Sequence, residues 1–573
     1  MIRSPGVYDH RNDSIARTDD IVDHTPPAST TRYANRWIPD ATGSALGFIA
    51  AVLSVTPSLL PRPAVFQGII VVLSFAFGYL AGVLIAKGVR RMRGKEAPRS
   101  ISRRWFYGYV AAWIAALIVL PGAAVAWQND VRRLVSMPPL DGTHLGAFFL
   151  GFLITGALVV AITLGVRRLY SRFRKNGSWG RATALTVAVI AAIIAALALM
   201  VVFGADRFYR DRNALPDSDL VEPDSQYRSA GSESIISWDS LGRHGADFVG
   251  GGPSMAEIEA LTGEEAMEPI RVYAGLASAP TMEERADLVV AELERTGAFD
   301  REVLAVAIPT GSGWLEPQTV DALEYVHGGD TAIASMQYAY TPSWVSYIFD
   351  PDAPMKAAGA LFDAVEERWS GLPEDDRPHL VIYGLSLGAY GGQSVFTDVD
   401  DLRARTDGAL FVGSPHSSEL WKSLQLSRDP GSPAWQPVLD DGREVRWMSR
   451  DGDENKLTGP WLEPRVLYLQ HATDPVTWLA PDVYWRAPDW LKPDQRSPEL
   501  STSMRWIPVV TGLQVTLDML VAEAVPAAYG HNYGDVVVDA WRHVTPETGL
   551  GDEALTRIQA EIATYAAIPR YDW

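Results

Sequence analysis

Four apolar runs in the first 204 residues restrict this chain more than any other feature: Val65–Ala86, Trp105–Trp127, Leu145–Leu164 and Ala182–Phe203. Each supplies the roughly 20 apolar residues that a helix needs to cross the hydrocarbon core of a bilayer. In lipid, a single segment satisfies its own backbone only as a helix. A fifth run, Ser44–Leu60, is shorter and interrupted by Pro57; it is read as a further spanning helix with a kinked end, making about five spans. None of the five contains Asp, Glu, Lys or Arg. Ionisable residues usually mark ion pathways inside membranes, so their absence favours an anchor over a proton-coupled transporter.

The connections predict an orientation. Eight Lys and Arg lie between Ala86 and Trp105 against the single acid Glu96, and six lie between Leu164 and Ala182 against none. By the positive-inside rule both loops are cytoplasmic, which puts the N-terminus in the cytoplasm and everything after Phe203 outside it. Residues 1–43 are polar, contain Pro26-Pro27 and lack the apolar core of a signal peptide; they read as a disordered, uncleaved tail. The charge changes sign where the apolar runs end: residues 1–204 carry 22 Lys and Arg against 9 Asp and Glu, and the remainder carries 28 against 60. A domain that acidic repels a polyphosphate backbone, so nucleic acid is excluded as a partner. Without cysteine there is no disulfide, thiolate metal site or cysteine nucleophile, and no cofactor is expected.

A chain of 573 residues exceeds what one core sustains. The predicted units are the tail (1–43), a transmembrane helical domain (44–204), a linker or docking segment (205–267) containing Gly250-Gly251-Gly252, and a soluble domain (268–573). In the last, β-rich runs alternate with amphipathic stretches, the pattern of a mostly parallel sheet flanked by helices. Predicted strands are Ile270–Tyr273, Val303–Ile308, Ala332–Gln337, Leu380–Tyr383, Ala409–Val412 and Val466–Leu469; predicted helices include Met282–Thr296, Pro317–Val326, Pro354–Trp369 and Ala389–Phe396.

The sharpest motif is Gly384-Leu385-Ser386-Leu387-Gly388, between the apolar run 379–383 and a helical stretch. A serine exposed on a tight strand-to-helix turn needs small neighbours, because the backbone is strained and the helix passes close to the strand. A serine hydroxyl also needs a base, held by a carboxylate that precedes the base in the chain. Asp474 follows the apolar run 465–470, with Asp482 and Asp489 as further acids; downstream, His531 lies in a small-residue loop and His543 at a helix end, whereas His471 precedes the acid. Ser386, Asp474 and His531 are therefore the candidate nucleophile, orienting acid and base. The oxyanion of an acyl-transfer intermediate needs two backbone N–H groups. Leu387 offers one, and Thr310 or Gly311 in the loop Pro309–Trp314 the other.

These residues, with Pro57–Arg62, Ser237–Arg243, Tyr468–His471, Trp506–Thr511 and Gly530–Tyr533, resemble in order the actinobacterial membrane α/β-hydrolases, in which a multi-span region precedes a hydrolase domain. The chain departs from that family at Leu385, where an acid is usual, and at Ala528–His531, where a Gly-His-Gly-His run is usual. The resemblance implies an α/β-hydrolase fold and serine-hydrolase chemistry without fixing a substrate. Tethering outside the membrane suggests a lipid or acylated cell-envelope substrate, and hence an esterase or lipase. The Trp-rich stretch Trp478–Trp490 is either an acyl-binding wall or core. An acyltransferase using the same triad and a non-catalytic envelope scaffold or conduit are the alternatives; oligomeric state is left open.

Overall fold

The computed structural model describes residues 40–94, 103–140, 144–214 and 220–565; the N-terminal tail read as disordered lies outside them. Among the described residues four helices are long and apolar enough to cross a membrane: α2 (Ala64–Met92), α3 (Arg103–Leu134), α4 (His144–Lys175) and α5 (Trp179–Asn213). Their outer faces expose Leu80, Ile118, Leu153, Ile194 and Leu197, as helices whose solvent is lipid do.

The fifth run departs from expectation. It is helical only as α1 (Ala41–Leu53), about 20 Å long at 1.5 Å per residue against the ~30 Å of the hydrocarbon core. Pro57, Pro61 and Pro63 remove the N–H donors that would continue it. α1 instead lies against α2, so close that a Cβ on Gly82 would stand 2.7 Å from Gly43 Cα. Beyond it, residues 54–62 are non-helical and nearly all buried. Irregular backbone at such depth survives only when protein covers it. Here Gln514 Nε2 donates to the carbonyls of Ser54 (3.1 Å) and Thr56 (2.9 Å), and Asp518 accepts from Ser58 Oγ (2.9 Å) and Leu59 N–H (3.1 Å).

The second half is built on a seven-stranded, all-parallel sheet: β1 (Ile270–Ala274), β2 (Val303–Ile308), β3 (Thr331–Met336), β4 (His379–Leu385), β5 (Gly408–Val412), β6 (Val445–Met448) and β7 (Arg465–Leu469), in the order β1-β3-β2-β4-β5-β7-β6. Helices cover both faces, so the strands are buried almost throughout and read as unbroken apolar runs rather than alternating ones. Six strands match the predicted runs. The seventh, β6, escapes the pattern because four residues with an arginine among them, at the sheet edge, carry little apolar signal.

Residues 220–267 are folded onto this domain. α5 continues to Asn213, and the helices Gly242–Gly250 and Met255–Thr262 send Phe248, Val249 and Ile258 into the core that contains the sheet. Leu59 and Leu60, from the membrane half, belong to this core too.

Candidate active site

β4 lies at the middle of the sheet, and the chain leaves it through Ser386 into the helix Leu387–Gln393. Ser386 takes φ 55° and ψ −117°, a strained region costing of order 1–3 kcal/mol for a residue with a Cβ. The surroundings hold it there. Its N–H donates to Val412 O at the end of β5 (2.9 Å), and its carbonyl accepts from Tyr390 N–H (3.0 Å). Both flanking glycines are sterically required, since a Cβ on Gly384 would meet Gly388 C at 2.4 Å and one on Gly388 would meet Ile308 O at 2.1 Å. The turn thus lifts the half-buried serine off the C-terminal edge of the sheet, where parallel α/β sheets hold their ligands.

The acid and base pair at the same edge of the sheet, with no hydrogen bond from the Ser386 hydroxyl to the ring. Asp474 follows β7 and caps a short helix, its Oδ1 accepting from Val476 N–H (2.8 Å). Its Oδ2 accepts from His531 Nδ1 at 2.7 Å, with the two side chains 0% and 3% exposed. That bond leaves His531 Nε2 as the acceptor face of the ring, buried and without a protein partner. The imidazole rests on Gly413, where a Cβ would stand 2.4 Å from His531 Cε1. Gly413 directly follows Val412, the residue that fixes the Ser386 N–H, so the base sits one residue from the anchor of the nucleophile turn.

Tyr533 was not among the sequence-predicted site residues. Its hydroxyl donates to Asp474 Oδ2 (2.8 Å) and accepts from His471 N–H (3.1 Å). Burial and the neighbouring carboxylate push the phenol's pKa well up, which keeps it a donor. Its sequence signal is its place two residues after His531, at the end of the motif Gly530–Tyr533. His471 is structural: its ring stacks on Tyr533 with centroids 4.0 Å apart, its Nδ1 donates to Gly530 O (3.0 Å), and burial, reinforced by Arg450, pushes its pKa down to about 3.

The other candidates lie elsewhere. His543 ends the helix Val537–Val544, and its carbonyl accepts from Arg465 at the start of β7 (3.1 Å), the opposite edge of the sheet from Ser386. Asp489 is half-exposed and paired with Lys492 at 2.7 Å, and Asp482 opens a turn in Pro481–Tyr484. Leu387 begins its helix, where the first N–H groups have no intrahelical acceptor. In the facing loop, the Thr310 N–H is taken up by Trp314 O (3.0 Å), while the Gly311 N–H donates to the Ser343 hydroxyl (3.2 Å), a partner that can rotate away. Of the tryptophans in 478–490, Trp478 and Trp490 are core residues and only Trp485 is exposed.

The histidine loop also touches the membrane half. His531 N–H and the close-packed Gly530 both meet Ala522 O, and a Cβ on Gly530 would meet Leu60 at 3.3 Å. Ser136, just past α3, hydrogen-bonds Tyr529 (3.0 Å).

Burial disfavours the charged form of His531, but the carboxylate of Asp474 more than offsets this, and its pKa lies above the ordinary 6.5. A catalytic base must be neutral, so kcat/KM is expected to rise with pH along a limb centred above 6.5 and to be lost as pH falls through it. A limb centred at or below 6.5 would contradict the coupling to Asp474.

Among family models, one described as the alpha/beta-hydrolase family matches residues 270–558, and one described as the N-terminus of the alpha/beta-hydrolase family matches residues 55–253. No curated protein and no solved structure matches the chain.

Proposed function

Because this chain belongs to the alpha/beta-hydrolase family, we propose that it is a membrane-anchored serine hydrolase that cleaves the ester of a lipid or acylated cell-envelope component through an acyl-enzyme. The observation that carries this reading is the strained Ser386 turn beside a buried His531–Asp474 pair whose free ring nitrogen is an acceptor. In the reaction Ser386 Oγ attacks the ester carbonyl carbon and His531 Nε2 takes its proton. Asp474 stabilises the imidazolium. The Leu387 N–H, with that of Gly311 once released from Ser343, receives the oxyanion. The proton then passes from His531 to the departing alcohol. Water, deprotonated by the same ring, attacks the acyl-enzyme and regenerates the serine.

A lipid-borne substrate is supported by the helix Ser343–Phe349. Trp344, Tyr347, Ile348 and Phe349 on it are 40–61% exposed. The preceding Tyr340 is tied to Asp206 and Arg210, just beyond the apolar part of α5, and Tyr347 packs edge-on against Tyr390 of the nucleophile helix, centroids 6.0 Å apart. An exposed aromatic helix at this height suits the membrane–water interface, where Trp and Tyr concentrate.

An extracytoplasmic catalytic domain is supported by Arg90 and Arg91 ending α2 and by Arg172, Arg174 and Lys175 ending α4, both at ends remote from the sheet. In this cysteine-free chain, Glu374→Cys is expected to react with a membrane-impermeant maleimide in intact cells; protection there would invert the topology. The activity itself is tested with a fluorophosphonate probe, which is expected to label the detergent-solubilised wild type covalently. Folded wild type that fails to label would sink the serine-hydrolase reading.

A further inference from the structure

The membrane half contains a cavity of about 220 Å³ between α1, α2, α3 and α4. Val55, Val71, Trp113, Leu120, Phe148 and Phe152 make most of its wall apolar, and Leu117 and Leu145 on its lining are 43% and 46% exposed on the outer surface of the helices, so it opens to the bilayer. An apolar hollow of this kind does not hold water along its length, because water needs two to four polar partners.

One end differs. Arg62, Gln67 and Gln128 line it, each 5% exposed or less. Arg62 donates from Nη2 to Thr56 O (2.9 Å) and lies 3.6 Å from Asp518, but its Nε and Nη1 make no hydrogen bond. Gln128 accepts the Arg62 backbone N–H (2.9 Å), and its Nε2 makes none. Gln67 donates to Ser54 O (3.1 Å), and its Oε1 has no donor. Buried polar groups of this kind are costly unless partnered, and Arg62 is buried with two of its donor atoms unmet. The unmet groups are mainly donors, so what they lack is an acceptor oxygen. Asp518 already supplies the countercharge of Arg62, so that oxygen is a neutral one.

We propose that this cavity is an acyl-lipid site: the hydrocarbon chain occupies the apolar cleft, and an ester carbonyl accepts from Arg62 Nη1 and Gln128 Nε2. The site is separate from Ser386. It rests on the membrane insertion of α2–α5 proposed above and not on the nucleophile. Asp518 ends the helix Val510–Asp518, four residues before Ala522, whose carbonyl holds His531 N–H, so the polar end of the site shares a short segment with the histidine loop.

The test uses the full-length Ser386→Ala protein in lipid nanodiscs, so that no probe is hydrolysed. Three chain-matched probes carrying a diazirine in the chain are compared: a methyl ester, a free fatty acid and a plain hydrocarbon. Cross-linked peptides are read by mass spectrometry and normalised to Leu153 and Ile194 on the lipid-facing surface. The ester is expected to label the peptides of Trp113 and Phe148 about tenfold more than the hydrocarbon, the scale of one or two hydrogen bonds to a charged donor. Filling the cleft with Ala124→Trp is expected to remove that labelling while leaving Leu153 and Ile194 unchanged. Gln128→Glu, which keeps the acceptor for the Arg62 backbone N–H but loses one of the two free donors, is expected to lower the ester's excess over the hydrocarbon by about threefold, leaving the part that Arg62 Nη1 carries. Equal labelling by all three probes, or preference for the fatty acid, overturns the proposal, as does cavity labelling that persists in Ala124→Trp. Failure to label Leu153 and Ile194 would instead overturn the membrane reading, so the two failures are distinguishable.

Discussion

Ser386→Ala is expected to lower ester turnover by on the order of a millionfold, the scale reached when the nucleophile of a serine triad is removed, and to abolish fluorophosphonate labelling. The substitution is structurally mild. Alanine keeps the Cβ that already occupies φ 55°, the backbone bonds to Val412 O and from Tyr390 N–H are untouched, and the serine hydroxyl makes no hydrogen bond to another described residue. The melting temperature should therefore stay at the wild-type value, which separates lost chemistry from lost folding. Appreciable turnover of a p-nitrophenyl ester by the folded variant would remove Ser386 from its role.

Asp474→Asn is expected to cost about four orders of magnitude in kcat, as misorienting the histidine does in such triads. Its surroundings allow no comfortable amide. Oδ1 faces the Val476 N–H, and Oδ2 faces both His531 Nδ1 and the Tyr533 hydroxyl, so an NH₂ on either side points at a donor. With the amide turned toward His531, the ring is driven to the tautomer whose Nε2 carries the proton and cannot accept one from Ser386. Loss of the carboxylate also removes what holds the His531 pKa above 6.5, so the acidic limb of any residual activity should move down in pH. Asp482→Asn serves as the control and should retain turnover; if that variant shows the large loss instead, the acid has been misassigned.

How far residues could be read without coordinates followed from how local each constraint is. The four long apolar helices are legible because bilayer thickness imposes a length of apolar sequence that few other structures need. The Ser386 turn was legible because the two close approaches that demand Gly384 and Gly388 occur within five residues of sequence. Asp474 and His531 followed from chain order and loop position. What stayed hidden depends on contacts between distant segments. Tyr533 looks like any loop tyrosine until Asp474 is seen beside it, 59 positions away. Gly413 carries no motif, yet it leaves the room for the His531 ring. The apolar residues of 54–60 mimic a spanning helix in sequence, whereas they are covered by protein and α1 ends at Leu53. The Thr310 N–H is a local exception: Trp314 O takes it up within the same loop, and the loop's conformation rather than its residue types decides that.

Leu59 and Leu60 come from the apolar-helix region of the chain and are 1% and 0% exposed inside the core of the second half. Burying two leucines contributes about 3–6 kcal/mol, a large part of the ~5–15 kcal/mol that holds a typical protein folded. Anchor and enzyme are therefore not interchangeable modules. Cutting the hydrolase domain away from the apolar helices, or grafting it onto a different N-terminal region, would leave an open notch directly under the Gly530–His531 loop. The wall beneath the histidine loop is therefore complete only while the apolar-helix region stays joined to the hydrolase domain.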